Sequence, residues 1–92
     1  MALLSDEEIE QRLEVLRGWK RDGDAIVREF ENGDFKGSVD FVNRLMPVAE
    51  AMNHHPDLEV SWATVTVRLS SHSEGGLTTA DFDLASRIDA LG

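Results

Sequence analysis

The sequence contains no cysteine, so neither a disulfide framework nor a thiolate metal site is open to it, and a reducing compartment is the expected setting. It also has no long apolar run, since no segment approaches the roughly 20 residues needed to span a bilayer. The opening stretch Met1-Ala2-Leu3-Leu4-Ser5-Asp6-Glu7-Glu8 has no basic flank and too short an apolar core for a secretory signal. A cytoplasmic location is therefore expected. Basic residues are scarce, nine against 18 acidic ones, and the net charge of −9 repels phosphate backbones and anionic lipid. Direct nucleic-acid and membrane partners are thereby disfavoured. The acids are spread along the chain instead of forming a block, the pattern of a solvated surface. Proline occurs only twice, at Pro47 within a stretch of apolar periodicity and at Pro56 directly after two histidines.

A chain of 92 residues is expected to form a single domain, 1–92, with one core. A domain of this size buries only about 60–65% of its unfolded surface, so association into a homodimer or homotetramer would add stability. Ser5 with Glu8 three residues on is a capping-box pattern, and Ile9, Leu13 and Leu16 then recur at helical spacing up to Gly18. The first helix is expected over 6–17. Asp22-Gly23-Asp24 supplies turn chemistry between Trp19-Lys20-Arg21 and the β-capable run 25–31, which predicts a short hairpin. Ile26 and Val27 are adjacent and cannot share a face, so the pattern leaves open which of them points inward.

From Asp34 the period changes. Phe35, Val39, Val42, Leu45, Met46, Ala49 and Met52 fall at steps of three and four, the pattern of an amphipathic helix. Pro47 lies inside it and cannot donate to the carbonyl of Asn43, which predicts a kink or local break. Gly37 lowers helix propensity near the start and signals either close packing or tolerance. After Pro56, residues 58–70 read as strand, but unbroken they would reach about 43 Å at about 3.3 Å per residue, too long for so small a domain. The chain is expected to fold back near Ala63-Thr64 as a second hairpin. A polar loop, 71–76, precedes Thr78 and Asp81, an acidic capping pattern that opens a third helix with Phe82, Ala85 and Ile88 inward. The order α-β-β-α-β-β-α implies an α+β fold, a four-stranded antiparallel sheet with three helices packed on one face.

The chain has three histidines, and His54 and His55 stand together before Pro56. Imidazole is the side chain that exchanges protons near neutral pH, so the residue type best suited to acid/base work is concentrated in one place. Glu50 lies one helical turn before His54, where it could orient that ring. The second hairpin offers a way of returning His72 to the same place, which would make a pocket able to give and take protons. Other readings compete. Histidines can fall in polar loops by chance, though a pair ahead of a proline plus a third weakens that reading. A three-histidine zinc site has no helical His-x-x-x-His pair behind it, and a nucleophilic triad has no elbow around any serine. General acid/base chemistry without a metal leads. Asp81 reads as a helix cap that could also orient His72, and Trp62 as core or pocket wall whose indole N–H needs a partner.

The spacing Glu50-x3-His54-His55-Pro56-x5-Trp62-x9-His72-x8-Asp81 resembles the signature of the pterin-4a-carbinolamine dehydratase family, and the element order agrees with that family along nearly the whole chain. Gly18-Trp19, Asp34-Phe35 and Gly75-Gly76-Leu77-Thr78 add to the resemblance. It implies a lyase that removes water from a 4a-hydroxytetrahydropterin to give quinonoid dihydropterin in tetrahydropterin recycling, with no organic cofactor and no metal. By the resemblance His54 and His72 would be the acid/base groups and His55 would bind or assist. Pro56, Ser71, Ser73 and Glu74 would contact the pterin, and Glu50, Trp62 and Asp81 would orient the site. The chain departs from the family pattern at Ala63, where a turn residue such as asparagine is usual, and at Pro47. The resemblance also carries an alternative of another class, a binding or assembly protein with a protein partner, because relatives act as dimerisation cofactors of a transcription factor or assist rubisco assembly. Three retained histidines favour catalysis over that alternative.

Overall fold

The computed structural model describes residues 2–91. Helix α1 (Asp6–Val15) opens as its capping box dictates: Glu8 N–H donates to Ser5 Oγ at 3.2 Å, and Ser5 N–H donates to Glu8 Oε1 at 3.0 Å. The helix stops at Val15 instead of continuing to Arg17, and Gly18, at φ +94°, sits in the turn beyond it. Strands β1 (Lys20–Asp22) and β2 (Ala25–Glu31) form the first hairpin, with Lys20 opposite Val27. Ile26 takes the core face and Val27 the other.

Helix α2 (Phe35–Met52) is capped by Asp34, whose Oδ1 accepts the Gly37 N–H at 2.7 Å. Pro47 does not break it. Asn43 and Pro47 both lie on the exposed side, where water can take the place of the missing donor, so the cost of the proline is small. Strands β3 (Asp57–Val60) and β4 (Thr64–Leu69) form the second hairpin, and its turn lies at Ser61–Ala63, slightly before the expected Ala63-Thr64. Ser61 N–H closes that turn on the Thr64 carbonyl at 2.9 Å. A 3-10 turn (His72–Glu74) and helix α3 (Thr79–Asp89) complete the chain.

The sheet order is β1-β2-β4-β3 and every pairing is antiparallel, as the alternating pattern implied. Ile26, Val65, Val67 and Leu69 point from it into the core, where they meet Phe41, Leu45 and Ala49 of α2, Leu84, Ala85 and Ile88 of α3, and Ile9 of α1. Phe30 stacks on Phe41 with ring centroids 4.8 Å apart. The three helices cover one face of the sheet, and the open face carries polar contacts such as Arg68 Nη1 to Asp22 Oδ2 at 2.6 Å. The end of α3 is fastened to the first hairpin by Asp89, which accepts from Trp19 Nε1 and Arg28 Nη1, each at 3.0 Å. Among the described residues no helix is long and apolar enough to cross a membrane.

This arrangement brings three chain segments to one end of the molecule: the C-terminal end of α2, the exit of β4 and the N-terminal end of α3. At the opposite, N-terminal end of α2, Gly37 is confined because a Cβ there would run into the carbonyl oxygen of Asn32, a backbone atom that cannot swing away. Two effects therefore oppose each other in Gly37→Ala. Helix propensity favours alanine by about 1 kcal/mol, whereas overpacking costs about 1–3 kcal/mol. We expect the clash to win, with a lower melting temperature in a thermal scan; a higher one would show that the Asn32 turn yields freely.

Candidate active site

Helix α2 ends because Asn53 adopts the left-handed conformation, φ 49° and ψ 42°, which asparagine tolerates better than most residues. Asn53 N–H then donates to the Glu50 carbonyl and His54 N–H to the Ala49 carbonyl, both at 3.1 Å, and the chain reverses. The reversal turns His54 inward. Its ring, 17% exposed, places Nε2 2.6 Å from Oδ1 of Asp81, a carboxylate with no solvent exposure. The other oxygen, Oδ2, accepts from Thr78 N–H at 2.9 Å and from Ser71 Oγ at 2.8 Å. Asp81 is thus held by donors from three segments and lies in the first turn of α3, where the helix dipole favours negative charge. An ionised carboxylate only accepts, so opposite one Nε2 of His54 carries the proton of that bond, and in the neutral ring Nδ1 then keeps its lone pair.

His55 lies nearer the solvent, at the rim of the same cavity. Its Nε2 meets Oε2 of Glu50 in a close contact, and both side chains are more than half exposed, 56% and 62%. His72 stands in the 3-10 turn after β4, 72% exposed, with Nε2 3.5 Å from Oδ2 of Asp57 at the start of β3. The three imidazoles line one open cavity of about 400 Å³, with Ser71, Ser73 and Glu74 on one side and Met52 and Ala80 among its apolar parts. That volume suits a small heterocycle, and its mix of apolar wall and few polar groups is usual for such sites. Among the described residues no buried side-chain polar atom lacks a partner, and no three histidine, aspartate or glutamate groups form a set able to hold a metal ion.

Several pairings differ from those read in the sequence. Glu50 meets His55, not His54, because the left-handed Asn53 interrupts the helical rise that would have stacked residues 50 and 54. Asp81 holds His54, not His72. Trp62 is neither core nor pocket wall: it sits at the tip of the second hairpin, 71% exposed, and its carbonyl accepts from Ser38 Oγ at 3.2 Å. Pro56 lines an adjacent groove with Val42, Met46 and Leu58 instead of the histidine cavity. Ser71 lines the cavity but commits its hydroxyl to buried partners. Asp57 was missed as a partner of His72, although its place directly after Pro56, opposite Arg68 across the sheet, carried the signal.

Residues 2–91 match the family model described as pterin 4 alpha carbinolamine dehydratase. The chain belongs to this family. A relative from Roseiflexus castenholzii, named as a candidate pterin-4-alpha-carbinolamine dehydratase, is 48% identical over 98% of this chain and 97% of its own. One of the same name from Thermosynechococcus vestitus is 50% identical over 96% of this chain and 93% of its own. Among solved structures, a transcriptional coactivator/pterin dehydratase from Brucella melitensis superimposes with a TM-score of 0.92 at 32% identity, covering 97% of each chain. A pterin dehydratase-like protein identified as a rubisco assembly factor in the alpha-carboxysome gives 0.70 at 23% identity, covering 82% of this chain and 89% of that one, and shows the shared fold. The dehydratase family therefore includes this arrangement of helices and sheet, and the histidine cavity occupies one end of it.

The two histidine–carboxylate pairs should differ in what they contribute to stability. Asp81→Ala removes a cap and leaves buried donors unsatisfied, and we expect a loss of about 2–4 kcal/mol. Glu50→Ala removes an exposed partner and should change stability by less than about 0.5 kcal/mol. Denaturant titration of both variants checks this, and equal losses would contradict the burial argument.

Proposed function

We propose that the chain dehydrates a 4a-hydroxytetrahydropterin to quinonoid dihydropterin and water, in tetrahydropterin recycling, by proton transfer among histidines. The observation that carries this reading is the convergence of three imidazoles on one cavity, one of them held by a buried carboxylate. Family membership supports it. The reaction breaks the C4a–oxygen bond while the adjacent ring nitrogen gives up its proton and forms a double bond to C4a. It therefore needs one group to accept a proton and another to deliver one to the departing hydroxyl.

The environments of the histidines suit a division of those roles. His54, with Nε2–H donated to Asp81, has Nδ1 available as an acceptor, so it is the base at the ring nitrogen. His72, exposed beside the Asp57 carboxylate, can hold a proton and be replenished from solvent, so it is the acid at the leaving hydroxyl. His55, tied to Glu50 at the rim, binds or assists, and Ser73 and Glu74 contact the pterin edge. Pro56 and Trp62 act at most through the local backbone in this reading. Neither step calls on an organic cofactor, and we place the whole reaction within one domain, 1–92.

We expect the purified protein to accelerate the dehydration. His54→Ala and His72→Ala should each reduce the rate by about 10²-fold or more, the usual scale for one acid/base group. Full activity in the double variant would overturn the mechanism, and a folded wild-type protein without activity would overturn the function.

A second reading, binding of a protein partner or of further copies of the chain, is favoured by the stripe Phe35, Val39 and Met46, which leaves apolar side chains exposed along the outer side of α2. It uses a surface separate from the cavity and is compatible with catalysis. Light scattering checks the self-association part: a mass of two or four times 10.2 kDa is expected, and a monomer at micromolar concentration would remove it.

A further inference from the structure

Among the described residues four polar ones are buried, Ser71, Ser38, Thr78 and Asp81. Three of the four are bonded to one another. Ser71 Oγ lies 2.8 Å from Asp81 Oδ2 and 2.8 Å from Thr78 Oγ1, and Thr78 Oγ1 accepts the Ala80 N–H at 3.3 Å. The direction of each bond follows from the chemistry at its end. The carboxylate oxygen can only accept, so the Ser71 hydroxyl donates to it. That proton is then spent, and the Thr78 hydroxyl donates to Ser71 Oγ.

We propose that Ser71 and Thr78 are positioning residues of the site, whose hydroxyls form a buried relay that fixes the Asp81 carboxylate and, through it, the Nε2–H form of His54. The Thr78 backbone N–H holds the same oxygen from the helix end, so Oδ2 has two anchors and Oδ1 is aimed at the imidazole. Buried hydrogen-bonded networks of this kind are stiff because each unpaired member would pay its full desolvation cost. Ser71 therefore serves the site from behind, although it borders the cavity and the family resemblance would make it a contact of the pterin. The catalytic consequence rests on His54 acting as the base; the state of the ring does not.

Nitrogen-15 NMR of the ligand-free protein tests the relay independently of activity, with the three histidines assigned by single His→Gln variants. The wild type should show His54 protonated at Nε2 and bare at Nδ1. Ser71→Ala should add a measurable population of the Nδ1–H form, while Thr78→Ser, which keeps the hydroxyl, should match the wild type. Thermal melting of each variant confirms that the fold is intact, and if Ser71→Ala does not fold, Thr78→Val provides the same loss of a relay hydroxyl. In the dehydration assay Ser71→Ala should lower kcat by about tenfold or more with KM changed by less than about twofold. Unchanged nitrogen shifts would overturn the proposal, as would a raised KM with unaltered kcat, the signature of a lost substrate contact. Shifts as expected in a protein without dehydratase activity would uphold the relay and overturn the proposed function instead.

Discussion

Asp81 has no solvent exposure, and a carboxylate in that position is tolerated only if hydrogen bonds replace the water it gave up. Here the replacements come from Thr78 at the start of α3, Ser71 at the exit of β4 and His54 at the end of α2. One side chain thus caps a helix, ties down the segment after the last strand and orients the most enclosed histidine. The fold and the candidate chemistry share this interaction, so neither can be altered there without the other. The exposed pairs, Glu50 with His55 and Asp57 with His72, carry no comparable constraint and leave those rings freer to adjust to a ligand.

Much of the architecture was legible because local signals agreed with one another. Ser5 with Glu8 and Thr78 with Asp81 marked two helix starts, and both capping boxes form. The change of period at Asp34 marked α2, and the alternation of Val65, Val67 and Leu69 gave the inward face of β4. The β3–β4 turn was harder to place because Trp62 and Ala63 carry no turn chemistry, and neither adopts a positive φ that would have required it. Pro47 pointed to a break that does not occur, since the carbonyl it leaves unpaired belongs to the solvent side of the helix.

The carboxylate partners of the histidines were the least legible part. Helical spacing assigned Glu50 to His54, but Asn53 leaves the helix just before that residue and hands Glu50 to His55. An asparagine directly ahead of His-His-Pro was the available signal for a left-handed end. The pairing of His54 with Asp81 joins residues 27 positions apart, and no local pattern specifies such a contact.

The same fold occurs in a structure titled as a coactivator and dehydratase and in one titled as a rubisco assembly factor, so architecture alone does not decide activity. The apolar stripe of α2 and the histidine cavity lie on different parts of this chain and could serve different ends. What ties the cavity to chemistry is the orientation of His54. A crystal structure with an unreactive pterin bound tests it most directly: we predict the pterin ring in the cavity between His54 and His72, with His54 Nδ1 facing it and Nε2 still on Asp81. A pterin seated elsewhere, or a His54 ring turned so that Nε2 leaves Asp81 for the ligand, would contradict that orientation and the mechanism built on it.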